Sequence, residues 1–158
     1  MKTLQIEEKK ALEIYKSASN EFKAILESTF GKEFFSQKIP DRVKSYEDAC
    51  ALTGENPVNE KKMLELGFTE DELHFRIIKT ITKALNEGWV PDWADSDQQK
   101  WFPWFDLSSG GFVFYDTTYG CSITRAGYAS RLCFKSKELA EYAGKQFTEL
   151  YKGFILIQ

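Results

Sequence analysis

Side chains that commonly carry catalysis are scarce in this chain of 158 residues. It contains one histidine, His74, and three cysteines, Cys50, Cys121 and Cys133, which lie far apart. A Ser–His–Asp or Cys–His site would have to use His74, which follows Asp71 in a predicted first helical turn. The absence of a CxxC motif disfavours structural zinc and leaves the cysteines as free thiols in a reducing compartment. We therefore expect no catalytic residue, no metal and no cofactor.

Long apolar runs are also missing. Uninterrupted apolar stretches reach about four residues, whereas a transmembrane helix needs ~20. The N-terminal sequence MKTLQIEEKK has no apolar core of the kind found in signal peptides. The sequence therefore predicts a cytoplasmic protein that does not enter a membrane.

Positive charge is not in excess, since the formal net charge is −3. That balance disfavours indiscriminate binding to phosphate backbones. The charge is distributed unevenly, however. Residues 46–75 carry eight acidic and two basic side chains, while residues 112–137 carry four basic and one acidic. This asymmetry indicates either an acidic and a basic functional face or two ordinary solvated surfaces.

Apolar residues at helical spacing fill the first 88 positions. A first helix is predicted to end near Thr29, just before Gly31, and three more are predicted over residues 45–54, 59–67 and 69–88. Ser45 with Asp48, and Thr69 with Glu72, have the spacing of capping boxes. A closing helix is predicted to begin after Ser136 and to continue to Phe154.

From residue 89 onward the periodicity changes. Turn-forming residues separate three segments that alternate between apolar and polar side chains, and these predict strands at about 111–116, 119–124 and 129–134. The predicted fold class is α+β: N-terminal helices, a small antiparallel three-stranded meander, and a C-terminal helix packed on it. We expect one domain over residues 1–158, with a helical half at about 6–88, an aromatic junction at 89–106, and strands plus closing helix at 111–154.

All four tryptophans lie in the segment NEGWVPDWADSDQQKWFPWFD, residues 86–106. Trp89 and Trp93 flank Pro91, and Trp101 and Trp104 flank Pro103. Rings held rigidly by proline-containing backbone suit a binding surface, and the same rings suit a lid that closes the core. The candidate binding residues are these tryptophans together with three residues of the predicted strand region, namely Arg125, Tyr128 and Arg131.

The same segment contains an acidic loop. With Asp95 at position one, Asp97 and Asp106 stand where a calcium loop carries ligands. Lys100 occupies the position where such a loop needs glycine, and Pro103 occupies another key position. The loop therefore offers a weak site for a small metal-assisted hydrolase, and its acidic residues also suit simple turn formation.

A nucleic-acid alternative depends on the strand region. GGFVFY at 110–115 partly matches the aromatic strand of an RNA-recognition motif, although the order of elements differs. Single-stranded bases would stack on Tyr115, Tyr119 or Tyr128 beside Arg125 and Arg131.

Three stretches resemble an uncharacterised protein family that recurs in bacterial genomes and their phages or mobile elements. They are NEGWVPDW (86–93), KWFPWF (100–105) and SRLCFKSKELAEYAGKQF (130–147). The resemblance covers most of the C-terminal half and hardly any of the first 40 residues. It implies a small cytoplasmic domain in a phage- or element-linked role, and it supplies no catalytic residue.

The sequence as a whole favours a small soluble protein that binds a partner without enzymatic activity. A protein partner is expected first. Binding of single-stranded nucleic acid and metal-assisted hydrolysis are the alternatives, and the oligomeric state stays open.

Overall fold

The computed structural model describes residues 8–108, 111–123 and 130–156. Within those ranges the chain has an α+β architecture, which confirms the predicted class. The helices are, in chain order, α1 (Glu8–Ser17), α2 (Asn20–Phe30), α3 (Lys32–Ser36), α4 (Ile39–Arg42), α5 (Tyr46–Thr53), α6 (Glu60–Glu65), α7 (Glu70–Leu85), α8 (Lys137–Gln146) and α9 (Thr148–Ile155). Two strands, β1 (Lys100–Asp106) and β2 (Val113–Gly120), form an antiparallel sheet, and a short 3-10 helix covers Ser130–Leu132.

Helix α7 lies at the centre of the core. Its isoleucines and leucines recur at helical spacing, so one stripe is buried, and α5 and α9 pack against it. The predicted capping interactions are present at two helix starts. The Asp48 carboxylate accepts the Ser45 N–H at 2.9 Å, and the Glu72 carboxylate accepts the Thr69 N–H at 2.9 Å. Helices α5, α6 and α7 thus begin and end close to their predicted bounds.

The prediction of a single first helix is wrong. The helical conformation is interrupted at Ala18 and Ser19, between α1 and α2. The hydroxyl of Ser19 accepts the Phe22 N–H as the N-cap of α2. Serine is among the best N-cap residues because its short side chain satisfies an otherwise unpaired helical N–H. The predicted end of the helix is close to the observed one, with Gly31 at a φ of 86° after Phe30.

The prediction of one closing helix is also wrong, because α8 and α9 are separated at Phe147. The Thr148 hydroxyl donates to the Gly144 carbonyl at 2.7 Å. Such local side-chain bonds compete with the regular helical pattern and bend or interrupt it. The buried ring of Phe147 joins the core at the break.

The three-stranded meander is not confirmed, since the described residues form two strands. Residues 100–106, predicted as part of an irregular junction, form β1, and the predicted strand at 111–116 corresponds to β2. In the described part of the predicted strand at 129–134, residues 130–132 form the 3-10 helix, and Phe134 makes a single antiparallel bridge with Trp101. Residue 129 lies outside the described ranges. The predicted strand at 119–124 overlaps only the end of β2, and residue 124 lies outside the described ranges.

Helix α8 covers one face of the two-stranded sheet. A Cβ atom added at Gly144 would lie 2.4 Å from the Phe114 ring and 2.8 Å from Cβ of Pro103. Glycine therefore allows the helix to approach both strands at this point. The buried residues of the core extend from Val43 in the helical half to Tyr151 in α9, so the helices and the sheet share one apolar cluster.

Within the described ranges, none of the helices combines the length and the apolar character that crossing a lipid bilayer requires.

Candidate binding surface at the tryptophan segment

The three stretches that carry the family resemblance meet in space. Asn86, the residue that follows α7, is buried, and its side-chain amide donates to the Cys133 carbonyl at 2.8 Å. The Lys135 N–H donates to the Asn86 side-chain oxygen at 3.0 Å. Asn86 thus pairs with the 133–135 backbone as a neighbouring strand would. This double contact ties the end of α7 to the segment that carries the bridge to β1.

Glu87 reinforces the same junction. Its carboxylate lies 2.9 Å from the Lys135 ammonium and 3.9 Å from that of Lys16. Glu87 also has a φ of 50°, an uncommon conformation for a residue other than glycine. Gly88 follows with a φ of 82°, and the chain turns sharply away from α7 toward the tryptophans.

The four tryptophans have different surroundings. Trp89 and Trp93 are half-buried in the loop between α7 and β1. The Lys100 ammonium lies 5.3 Å from the centre of the Trp93 ring and donates to the Asp95 carbonyl at 3.0 Å. Since Lys100 is fully buried, Trp93 and Asp95 act as the lid that encloses this cation. Trp93 therefore has a structural role in the loop.

Trp101 and Trp104 point to opposite faces of β1, because side chains alternate along a strand. Trp101 packs against the main core, and its ring lies 4.9 Å from that of Tyr119, its cross-strand partner. Trp104 is 40% exposed. The structure thus packs the half-buried Trp101 against the core and leaves Trp104 as the most accessible indole of the segment.

Two cavities adjoin Trp104. A cavity of 300 Å³ is lined by residues 102–105 of β1, by Leu107 and Leu132, and by Tyr151, Phe154 and Ile155 of α9. The Tyr151 hydroxyl is buried without a hydrogen-bond partner among the described residues, and burial raises the pKa of this phenol. A second cavity, of 610 Å³, is lined by Phe102, Trp104 and residues 118–123 together with Ser96. Trp104 and Phe102 thus belong to the walls of both.

Exposed apolar side chains are concentrated on the hairpin formed by β1 and β2. Of the twelve large hydrophobic residues that are exposed in the described ranges, six lie between positions 104 and 123. We call these six the hairpin surface: Trp104, Leu107, Val113, Tyr115, Tyr119 and Ile123. Residues 101–123 contain two aspartates and no lysine or arginine, so this surface is apolar and slightly acidic.

The predicted basic partners of the tryptophans are only partly placed. Arg131 is exposed on the 3-10 helix, while Arg125 and Tyr128 lie outside the described residues. The structure therefore does not bring the predicted basic side chains onto the described part of the hairpin. The hairpin surface includes Tyr115 and Tyr119, on which the nucleic-acid alternative stacks bases. The arginines that this alternative requires beside them are not on the described part of that surface.

The acidic loop is occupied with turn formation. The Asp92 carboxylate accepts the Ala94 N–H, the Asp95 carboxylate accepts the Asp97 N–H, and the Asp106 carboxylate accepts the Ser108 N–H, at 2.8–2.9 Å. These are Asx turns, in which the side chain holds its own loop. Within the described ranges, no three His, Cys, Asp or Glu side chains come together as metal ligands would. The geometry supports the turn-forming interpretation of these aspartates.

Two residues considered for nucleophilic chemistry belong to different elements, His74 to α7 and Cys133 to the segment after the 3-10 helix. The His74 ring lies against Gly153 of α9, where an added Cβ would be 2.3 Å from it. Burial raises the pKa of the Cys133 thiol to about 11, which opposes thiolate formation at neutral pH. Cys133 and His74 both serve packing between elements of the core.

Sequence reasoning did not identify Asn86 or Lys100 as determinants of the site. Asn86 lies in the last turn of the predicted helix over 69–88, where asparagine is also common for purely local reasons. Lys100 entered the sequence analysis only as the residue that occupies the glycine position of a calcium loop. The sequence did contain an indication for Asn86, because a polar amide directly beside the buried stripe of a long helix commonly has buried hydrogen-bond partners.

Comparisons of this chain with protein-family models, with curated proteins and with solved structures gave no match. The resemblance to an uncharacterised bacterial and phage family therefore stays a prediction, and the functional proposals depend on the residues and their geometry.

Proposed function

We propose that this protein is a non-enzymatic binding protein that contacts a protein partner through the hairpin surface. The observation that carries this proposal is the concentration of exposed apolar residues between positions 104 and 123. Exposed apolar residues that are concentrated in one element mark interaction sites more often than scattered single residues do. Tryptophan and tyrosine, present here as Trp104, Tyr115 and Tyr119, are the residue types that contribute most to interface hot spots.

Charge favours a protein over a nucleic acid as the partner. A surface that binds single strands combines aromatic rings with lysine or arginine that neutralise phosphates. Residues 101–123 contribute Asp106 and Asp116 and no basic side chain. An apolar, slightly acidic surface suits a partner with apolar and basic residues. The resemblance to a phage-linked family favours a host or phage component as that partner.

The test compares two double variants with matched exposure. Trp104→Ala/Tyr115→Ala removes two rings of the hairpin surface, which are 40% and 68% exposed. Phe22→Ala/Leu66→Ala removes side chains that are 42% and 68% exposed on α2 and after α6. Each chain is immobilised, and a lysate of the source organism is passed over it. We expect a protein that the wild type and the Phe22/Leu66 variant retain and that the Trp104/Tyr115 variant loses.

Equal capture by all three chains would show that the hairpin surface is not the binding site. A parallel measurement of fluorescence anisotropy uses a labelled single-stranded DNA at low and high salt. Binding that weakens steeply with salt and requires Tyr115 would replace the protein partner with a nucleic acid.

A further inference from the structure

Among the residues that the structure describes, no backbone hydrogen bond joins the edge of β1 that faces away from β2 beyond Trp101. The Trp101 N–H donates to the Phe134 carbonyl at 3.0 Å, and the Phe134 N–H donates to the Trp101 carbonyl at 2.8 Å. In an antiparallel ladder the next pair of this kind would join Pro103 to Leu132. Proline has no N–H to donate, so this pair cannot form completely. The chain before Phe134 instead forms the 3-10 helix Ser130–Leu132, and the described ladder stops.

The 300 Å³ cavity lies where the missing strand would run. Four consecutive residues of β1, Phe102 to Phe105, line it from both faces of the strand, which places it along the strand edge. Leu132 closes one end, and Phe154 and Ile155 of α9 lie across from the strand. The cavity thus occupies the position that a third strand would fill if Pro103 did not interrupt the backbone pairing between β1 and the segment before Phe134.

Backbone groups of β1 face this space. Donors and acceptors alternate along a strand, so Pro103 and Phe105 present theirs to the same edge as Trp101. The bulge of the sheet does not disturb this alternation, because the extra residue, Tyr115, lies in β2 between the partners of Trp104 and Phe105. The edge therefore offers the Pro103 carbonyl and the Phe105 N–H and carbonyl to an incoming chain.

We propose that an extended segment of a partner protein adds to this outer edge of β1 and places an apolar side chain in the cavity. The proposal rests on the proposed protein-binding function and names its site and partner chemistry. Strand-edge donors and acceptors pair with an extended backbone, whereas apolar walls select side chains at alternate positions. The volume of 300 Å³ is at the lower end of the ~300–1,000 Å³ typical of ligand sites, which suits a side chain better than a large cofactor. Because residues 101–123 carry two aspartates and no lysine or arginine, the segment is neutral or basic.

The probe is a phage-displayed library of random twelve-residue peptides, selected on the wild-type chain. Ile155→Trp fills the mouth of the cavity from α9, and Leu107→Trp fills it from the end of β1. Ile25→Trp is the matched control, since Ile25 is an exposed isoleucine on α2 outside the cavity. Circular dichroism and thermal unfolding verify that all three variants stay folded. We expect selected peptides to lose affinity about tenfold or more in both filled variants and to bind the Ile25→Trp chain as they bind the wild type.

Methylation of the peptide backbone provides a second readout. Each N–H of a selected peptide is replaced by N–CH₃ in turn. Strand addition predicts a period of two, with strong loss at N–H groups that face β1 and little at those between them. Loss without that period, or no loss at all, overturns strand addition.

Three other results overturn the proposal. They are a failure to enrich peptides over the starting library, binding that both filled variants retain, and a dimer of this chain that the filled variants dissociate in sedimentation velocity. The last result assigns the edge to a second copy. A lysate protein that requires Trp104 and Tyr115 yet binds the filled variants normally would leave the proposed function intact and refute only this site.

Discussion

Helix α7 and the β1–β2 hairpin distribute their apolar residues in opposite ways. Eight of the sixteen residues of α7 are buried, on the face toward α5 and α9. All eight residues of β2, which lies wholly within a described range, stay exposed or half-buried, and in β1 only Lys100 and Phe102 are buried. The helix uses its apolar side chains for the core, whereas the hairpin leaves many of them in contact with solvent. From this difference we expect stability to come mainly from the helices, and the exposed hairpin is the surface to which the proposed function assigns binding.

The largest loss of stability is expected from a substitution in the core that α7 and the hairpin share. Phe134 is fully buried, packs in the central cluster, and is bridged to Trp101. We expect Phe134→Ala to lower the free energy of unfolding by ~3–5 kcal/mol, through lost burial and the cavity left behind. Urea denaturation followed by circular dichroism measures this change. Phe22→Ala, at an exposed position on α2, should change stability by no more than ~0.5 kcal/mol. Equal effects of the two substitutions would contradict a core shared by both regions.

The next effect concerns the polar link between the regions. Asn86→Ala removes the two hydrogen bonds that the Asn86 side chain makes, one to the Cys133 carbonyl and one from the Lys135 N–H. Each hydrogen bond contributes ~0.5–1.5 kcal/mol, so we expect a loss of ~1–3 kcal/mol in the free energy of unfolding.

The matched control for Asn86 is Asn59, an asparagine at the other kind of helix end. Asn59 caps α6 by accepting the Lys62 N–H at 2.9 Å, and Asn59→Ala should cost ~1 kcal/mol. If the two alanine variants unfold at the same urea concentration, Asn86 is an ordinary helix-end residue and the link is unimportant.

The contrast between the regions also explains which features the sequence could predict. The bounds of α5, α6 and α7 depend on local signals, namely Ser45, Asn59 and Thr69 as caps and a regular apolar stripe. The break between α1 and α2 carried such a signal in Ser19, but the apolar spacing continues across it and concealed the interruption. Local chemistry therefore determined the helices, and the errors arose where two local signals conflicted.

The sheet could not be predicted in the same way. Pro103 disfavoured regular structure in residues 100–106, yet proline is acceptable in a strand when its nitrogen faces an unpaired edge. The register with β2 directs the Pro103 nitrogen to the outer edge, and the bridge to the distant Phe134 ends before reaching it. No local pattern contains that information. The candidate site shows the same division: tryptophan composition drew attention to the segment, but only the tertiary packing separates Trp104 from Trp101.

Two glycines extend the comparison to helix packing. Gly144 of α8 meets the hairpin at Phe114, and Gly153 of α9 meets α7 at His74. An alanine at an open helical position gains ~1 kcal/mol over glycine. Here each new Cβ would lie closer than 2.5 Å to a ring, so we expect a net loss of ~1–2 kcal/mol for Gly144→Ala and for Gly153→Ala.

Double-mutant cycles test the contacts of these glycines. Phe114→Ala should remove the steric clash that destabilises the Gly144→Ala variant. His74→Ala should remove the corresponding clash in the Gly153→Ala variant. The crossed pairs should be additive, because they share no contact. A Cβ at Gly144 would also lie 2.8 Å from Cβ of Pro103, whereas the three nearest atoms at Gly153 all belong to His74. Relief of the clash is therefore expected to be more complete at Gly153 than at Gly144. Additivity in all four pairs would show that neither glycine is required by the ring beside it.

The smallest change in stability is expected from an electrostatic interaction in the helical half. Its dependence on pH distinguishes the helical half from the hairpin. The Glu55 carboxylate accepts hydrogen bonds from the Lys83 ammonium at 2.6 Å and from the Thr80 hydroxyl at 2.7 Å, and these bonds lower the pKa of Glu55. A lowered folded-state pKa stabilises the protein above the unfolded-state pKa of ~4.3, and this contribution disappears as the pH falls through the folded value. Because the pair is partly exposed, we expect Glu55→Gln to cost less than ~1 kcal/mol at pH 7 and progressively less below pH ~4.

The hairpin supplies the control for that measurement. A hydrogen bond from the Ser108 N–H lowers the pKa of Asp106, but an amide oxygen in Asp106→Asn accepts the same bond. Asp106 forms no ion pair with a described residue, in contrast to Glu55. We therefore expect the difference in stability between the wild type and Asp106→Asn to be smaller, and to change less with pH, than the difference between the wild type and Glu55→Gln, which narrows with acid. Urea titrations at several pH values and two salt concentrations measure both variants. A Glu55→Gln deficit that is constant from pH 7 to pH 3 would mean that the lost contact is packing of the side chain rather than its charge, and the helical half would then owe no stability to this ion pair.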